Sequence, residues 1–141
     1  MTDDPLDAQF DALFAAASAA RENAHVPYSH YKVGVAIRTT DGRVFAGCNV
    51  ENAAYPQSQC AEASAIGAMV TAGATGIAEL LLVGGSDGDA QVITPCGGCR
   101  QRILEFARPD TPIHLCTPSA LRQTVPFESL LPMAFSNDAL R

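Results

Sequence analysis

Basic residues are scarce in this chain. Nine Lys and Arg stand against fifteen Asp and Glu, a formal net charge of -6 over 141 residues. A general polynucleotide binder needs a basic face to displace counterions, so that class is excluded. Attraction to acidic lipid surfaces is disfavoured on the same ground. No apolar run approaches the ~18–20 residues of a membrane span. The opening Met1-Thr2-Asp3-Asp4-Pro5 lacks the charged-then-apolar layout of an export signal, so a cytoplasmic location is expected. Five cysteines, an odd number without an export signal, argue against a disulfide framework. Internal repeats and low-complexity tracts are missing. Charged residues make up only 17% and hydrophobic residues 48%, which excludes disorder over the whole chain. The length suits one domain, residues 1–141, able to bury roughly two-thirds of its surface.

The hydrophobic pattern predicts a helix from Asp7 to about Asn23, capped by Asp4, with Pro5 in its first turn. Leu6, Phe10, Leu13, Phe14 and Ala17 recur at helical spacing and form its expected buried stripe. Lys32–Thr39 and Val44–Asn49 read as two strands of an antiparallel hairpin, with Asp41-Gly42 as a short-turn signal. Asn52–Gln59 is loop, and Ala61 to about Thr71 a second helix. Ala78–Gly84 holds the run Leu80-Leu81-Leu82-Val83, which fits a strand covered on both faces. Thr94–Cys99 reads as a tight loop, Arg100 to about Ala107 as a third helix and Ile113–Cys116 as a strand. Beyond Leu121 only Leu130-Leu131-Pro132 stands out, closing a short apolar element. The expected architecture is α/β, with one mixed sheet between helical layers and its late strand–helix–strand unit parallel.

Clustered cysteines in a reducing compartment point to metal binding or catalysis. Cys96 and Cys99 flank Gly97-Gly98 in a turn and are spaced to bite one ion, with Cys60 as a third thiolate from the start of another helix. Helix N-termini favour thiolates through their free N–H groups and positive partial charge. Three protein ligands with a fourth position for water is the pattern of a catalytic zinc site. A CxxC pair alone would favour a structural zinc knuckle or a redox pair. A closed structural site needs four protein ligands, however, and a redox pair needs no third cysteine. Cys48 and Cys116 fall in strands and read as buried small residues. Glu62, two residues after Cys60, is either a favourable acid in a first helical turn or a general acid/base beside the metal. The three cysteines favour the latter.

Tyr28-Ser29-His30-Tyr31-Lys32-Val33-Gly34, Asn49-Val50-Glu51-Asn52, Cys60-Ala61-Glu62 and Pro95-Cys96-Gly97-Gly98-Cys99-Arg100-Gln101 occur here in the order found in cytidine deaminases. From about Leu13 to Phe135 the chain resembles the short, homotetrameric class of that family. The resemblance implies a three-layer α/β/α sandwich around a mixed, about five-stranded sheet, and one Zn²⁺ per chain held by Cys60, Cys96 and Cys99. It implies hydrolytic deamination of free cytidine and 2'-deoxycytidine to uridine and 2'-deoxyuridine in pyrimidine salvage, with Glu62 moving the protons. By the same resemblance, Asn49 and Glu51 bind the ribose, Tyr31 lies against the base, and the backbone of Ala61 and of Thr94–Pro95 contacts it. Tyr55 and Phe135 reach a neighbouring subunit's site, so the sites lie near subunit interfaces.

Each of these positions also has a plain reading. Asn49 and Glu51 suit a solvated strand end, Tyr31 a hairpin core and Phe135 a C-terminal core anchor. The chain departs from the family where Cys-Ala-Glu continues with Ala63, since the short class carries Arg there. Helix N-termini, backbone N–H groups and Arg100 are the expected compensation for the thiolate charge. Competing readings are a deaminase of a related aminopyrimidine nucleoside, of blasticidin S type or a modified cytidine, and a zinc-stabilised binding module without turnover.

Overall fold

The computed structural model describes residues 5–140. The expected Asp4 cap and the side chain of Leu6 lie outside the described residues. Helix α1 runs Pro5–Glu22, α2 Ala61–Thr71 and α3 Gly97–Leu104. Strands β1 (Gly34–Thr39), β2 (Val44–Cys48), β3 (Ile77–Val83), β4 (Pro112–Cys116) and β5 (Leu121–Pro126) form one sheet in the order β2-β1-β3-β4-β5. Only β3 and β4 pair parallel, joined through α3; the other neighbours are antiparallel.

Alternation along the strands sorts side chains to two faces. Val35, Ile37, Leu80, Leu82, Ile113 and Leu115 cluster with Ala61, Ala65, Ile66 and Met69 of α2 and Ile103 of α3. On the other face Ala36, Leu81, Val83 and Cys116 meet Leu13 and Ala17 of α1, with Phe10 and Phe14 alongside. The sheet is therefore covered by α1 on one side and by α2 and α3 on the other. The run Leu80–Val83 is buried on both faces, as its lack of alternation predicts.

Two glycines fix how closely the helices lie. A Cβ at Gly34 would stand 2.0 Å from the Ala17 carbonyl oxygen of α1. A Cβ at Gly47 would stand 2.5 Å from the Ala65 amide nitrogen of α2. Both helix backbones thus rest directly on the sheet, and Gly47 sets the depth at which α2 presents its N-terminus.

Three local readings are refined. The β1–β2 connection is a three-residue loop, Thr40 to Gly42, closed by the Thr39 N–H donating to the Arg43 carbonyl at 2.8 Å. Gly42 takes φ 88°, the left-handed residue that such a loop requires. Helix α3 begins at Gly97 and ends at Leu104, about three residues before the predicted span at both ends. Its two glycines are poor helix interiors, which disguised a first turn as a loop. Strand β5 carries almost no buried side chain, so it has no hydrophobic signal and exists through its pairing with β4. The segment after it anchors the core through buried Phe127, with Leu130 and Leu131 packed beside it. Among the described residues, no helix is long and apolar enough to cross a membrane.

Candidate active site

Helices α2 and α3 each start on a cysteine. Cys60 and Cys96 are the N-cap residues, extended at φ -74°, ψ 156° and φ -67°, ψ 165°. Neither side chain caps its own helix, so both sulfurs are left for another partner. Cys99, buried in the first turn of α3, is the third. The three Sγ atoms lie within 4.8 Å of one another, and Cys60 Sγ is 3.9 Å from Cys96 Sγ. That separation is far too long for a disulfide. It matches the roughly 3.8 Å between two sulfurs on a tetrahedral zinc with ~2.3 Å bonds. Burial pushes the thiols of Cys60 and Cys99 up, and for Cys99 the Glu62 charge adds to it. Cys96 moves the other way: burial opposes its ionisation, but the Cys99 backbone N–H and the two neighbouring thiols outweigh it. A divalent cation is what would hold all three as thiolates, and the donor set is the soft one that zinc prefers. Cys116 is buried under α1 with its thiol pushed up to about 12, and Cys48 is half-buried; neither belongs to the cluster.

Glu62, only 4% exposed, follows Cys60 into the first turn of α2. Burial pushes its carboxyl up, while hydrogen bonding to Cys99 and the positive charge of Arg102 pull it back. It borders a cavity of about 150 Å³ together with Asn49, Cys60, Ala61, Thr94 and Cys96. Val33, Leu82 and Ile93 give that cavity apolar walls. A flat, partly apolar ring suits such a space, with its polar edge toward Glu62 and the sulfurs.

The remaining predicted residues are placed as follows. Asn49 reaches the cavity from the end of β2. Its Oδ1 accepts the Val33 N–H at 2.9 Å and its Nδ2 donates to the Tyr31 carbonyl at 2.8 Å. One amide hydrogen is left over for a ligand. Glu51 lies beyond the cavity wall. Its Oε1 accepts the N–H groups of Tyr28 and Ser29 at 3.1 Å each, and its Oε2 accepts the Ser29 hydroxyl. These donors, the hydroxyl first, hold its carboxyl below the usual range. Tyr31 is 45% exposed and so is not a hairpin core residue. Tyr55 is 70% exposed and meets Tyr28 edge-on at 5.8 Å between ring centres. Phe135 is 63% exposed, which removes the core-anchor reading, and its carbonyl accepts from Gln101 Nε2 at 2.8 Å.

Arg100 does not address the sulfurs. Its guanidinium donates to the carbonyls of Pro95 and Leu130 at 2.8 Å each and to Thr94 Oγ1 at 3.1 Å, tying the cysteine loop to the C-terminal segment. Sequence reasoning missed the apolar walls Val33, Leu82 and Ile93, which are ordinary strand and loop residues in the pattern. It also missed the role of Tyr28 and Ser29 in holding Glu51. Their position inside the Tyr28–Gly34 motif was the one available signal.

Comparisons with known proteins agree with this geometry. The family profile described as the cytidine and deoxycytidylate deaminase zinc-binding region matches residues 8–115. A cytidine deaminase of Sporosarcina psychrophila is 38% identical over 130 residues, covering 92% of this chain and 93% of its own. One from Mycobacterium tuberculosis is 39% identical over 135 residues, 95% of each chain. The crystal structure of cytidine deaminase from Burkholderia pseudomallei superposes with a TM-score of 0.81 at 41% identity, covering 96% of this chain and 100% of that one. With the sulfur trio, the buried glutamate and these likenesses together, the chain belongs to the cytidine deaminase family of zinc-dependent hydrolases.

Proposed function

We propose that this chain, as a single domain over residues 1–141, deaminates free cytidine and 2'-deoxycytidine to uridine and 2'-deoxyuridine with release of ammonia. It works in the cytoplasm, in pyrimidine salvage, as a homotetramer carrying one zinc ion per chain. The observation that carries this reading is the three sulfurs within 4.8 Å beside buried Glu62, at the edge of one small cavity.

Cys60, Cys96 and Cys99 hold the zinc. Bound there, zinc supplies Lewis acidity that makes a water molecule nucleophilic near neutral pH. Glu62 accepts the proton of that water and hands it to N3 of the pyrimidine as oxygen adds to C4. Glu62 then takes the remaining hydroxyl proton from the oxygen on C4 and delivers it to the amino group as the C4–N bond breaks, so ammonia leaves and a carbonyl remains. The apolar walls keep other water from the ring, and burial keeps Glu62 basic enough to take a proton. The backbone of Ala61 and of Thr94–Pro95 contacts the base, with Tyr31 against it. Asn49 and Glu51 take the sugar hydroxyls, Asn49 through its spare amide hydrogen and Glu51 through its carboxylate. Exposed Tyr55 and Phe135 support an assembly in which these rings meet a neighbouring subunit.

The test is direct. Purified protein incubated with cytidine or 2'-deoxycytidine loses absorbance at the cytidine band and releases one ammonia per nucleoside consumed. Zinc bound without turnover of either nucleoside overturns the reading in favour of a binding module. Turnover confined to substituted aminopyrimidine nucleosides moves the substrate to that class.

A further inference from the structure

The site proposed above concentrates negative charge. Three thiolates around one Zn²⁺ carry a net -1, and ionised Glu62 adds another. Ala63, next in α2, brings no charge, and the guanidinium of Arg100 is taken up by the carbonyls of Pro95 and Leu130. One other arginine stands close. Arg102 lies one turn after Gly98 on α3, where a long side chain runs back over the preceding turn toward the helix N-terminus. Its Nη1 stands 3.2 Å from where a Cβ on Gly98 would be, so the guanidinium lies beside Gly98 in the first turn of α3. The missing side chain at Gly98 leaves room for it. Among the described residues Arg102 makes no ion pair within 4.0 Å.

Arg102 sits in the last turn of α3, but its guanidinium reaches back to the first. The N-terminus of a helix is its positive end, where a cation is disfavoured unless an anion lies beside it. The anions beside the first turns of α2 and α3 are the cysteine sulfurs and Glu62.

We propose that Arg102, admitted by Gly98, is the positioning residue whose charge balances the thiolates of Cys60, Cys96 and Cys99 and holds the metal in place. The proposal rests on the zinc reading above. It stands apart from that reading in experiment, because zinc content of the unaltered protein, one per chain by elemental analysis, is measured first. Exposed Arg102 is then replaced in Arg102→Gln and Arg102→Lys, and zinc release to an excess of a chromogenic chelator is timed at neutral pH.

Arg102→Gln releases zinc about tenfold faster, as expected for loss of one charge acting through a partly screened short path. Its kcat for cytidine falls while KM stays within twofold, since the nucleoside contacts are untouched. Arg102→Lys keeps the charge and restores release to within about threefold of the unaltered rate. Release from Arg102→Gln at the unaltered rate overturns the proposal. So does Arg102→Lys behaving as Arg102→Gln, which would assign the effect to shape rather than charge. Absence of zinc from the unaltered protein overturns the reading beneath it instead.

Discussion

Glu62 stands at the sulfur cluster because α2 starts where it does. Cys60 occupies the N-cap position, so a residue two positions on falls in the first turn, at the sulfur cluster and under cover. Glu62→Gln keeps the shape and removes the proton carrier. We expect unchanged zinc content and a kcat lower by at least ~10²–10⁴-fold. Loss of zinc from that variant would place Glu62 among the ligands and defeat the assignment. Glu51 presents the opposite case, a half-buried carboxylate at the surface held by three donors from Tyr28 and Ser29. Ser29→Ala removes one of them and also the acceptor of the Tyr31 N–H, 3.0 Å away. KM for cytidine should then rise several-fold with kcat nearly constant, as for a lost hydrogen bond of about 1 kcal/mol. A change confined to kcat would contradict a ribose-holding role. The cysteines and Glu62 were legible in the sequence because their chemistry is local, set by spacings of two and three residues. The support of Asn49 and Glu51 was not, because its partners lie sixteen to twenty-three residues away in sequence.

Strands and helices were legible wherever burial imposed a period. The stripe of α1 and the solid run of β3 reflect how many faces are covered. Strand β5 is exposed on both faces and lies at the sheet edge, so its sequence obeys no period, and pairing with β4 alone defines it. The close seat of α2 was equally hidden, since a single glycine carries it. Gly47→Ala drives a methyl into the backbone of Ala61 and Ala65. It should cost about 1–3 kcal/mol or more, read as a lower Tm. Because α2 carries Cys60 and Glu62, activity should fall with stability; an unchanged Tm would show that the helix rides freely on the sheet.

Under α1 lies a polar cluster that ties four strands. Glu79 on β3 pairs with Arg38 of β1 at 2.6 Å and with His114 of β4 at 2.8 Å, and His114 reaches Thr124 of β5 at 2.9 Å. The His114 hydrogen bond, with Arg38 in support, holds the Glu79 carboxyl below its ordinary 4.5. A carboxylate so held stabilises the fold fully above about pH 4.5 and loses that contribution as pH falls through its lower folded value. Urea unfolding at a series of pH values should show stability rising with pH across that acid window. Glu79→Gln should flatten the rise and cost about 1–3 kcal/mol near neutrality, by leaving Arg38 short of a charged partner. An identical slope in both proteins would remove Glu79 from the acid response.

Over the whole chain, the metal site joins parts that local pattern keeps separate. Cys60 belongs to α2, and Cys96 and Cys99 to α3, with β3 and its following loop between them. The two helices otherwise share one face of the sheet, while α1 holds the other without any part in the cluster. A ligand that binds only the folded state stabilises it by RT ln(1 + [L]/Kd), about 4 kcal/mol at a thousandfold excess over Kd. Chelation should therefore lower Tm by several degrees or more, and added zinc should restore it. The loss should also be uneven. Hydrogen exchange should quicken first at the N-terminal turns of α2 and α3 and in the loop before Cys96. Amides of β1 and β3, sealed between both helical layers, should keep their protection until global unfolding. Uniform acceleration over the whole sheet would mean that the metal supports the core itself rather than the seam between two helices.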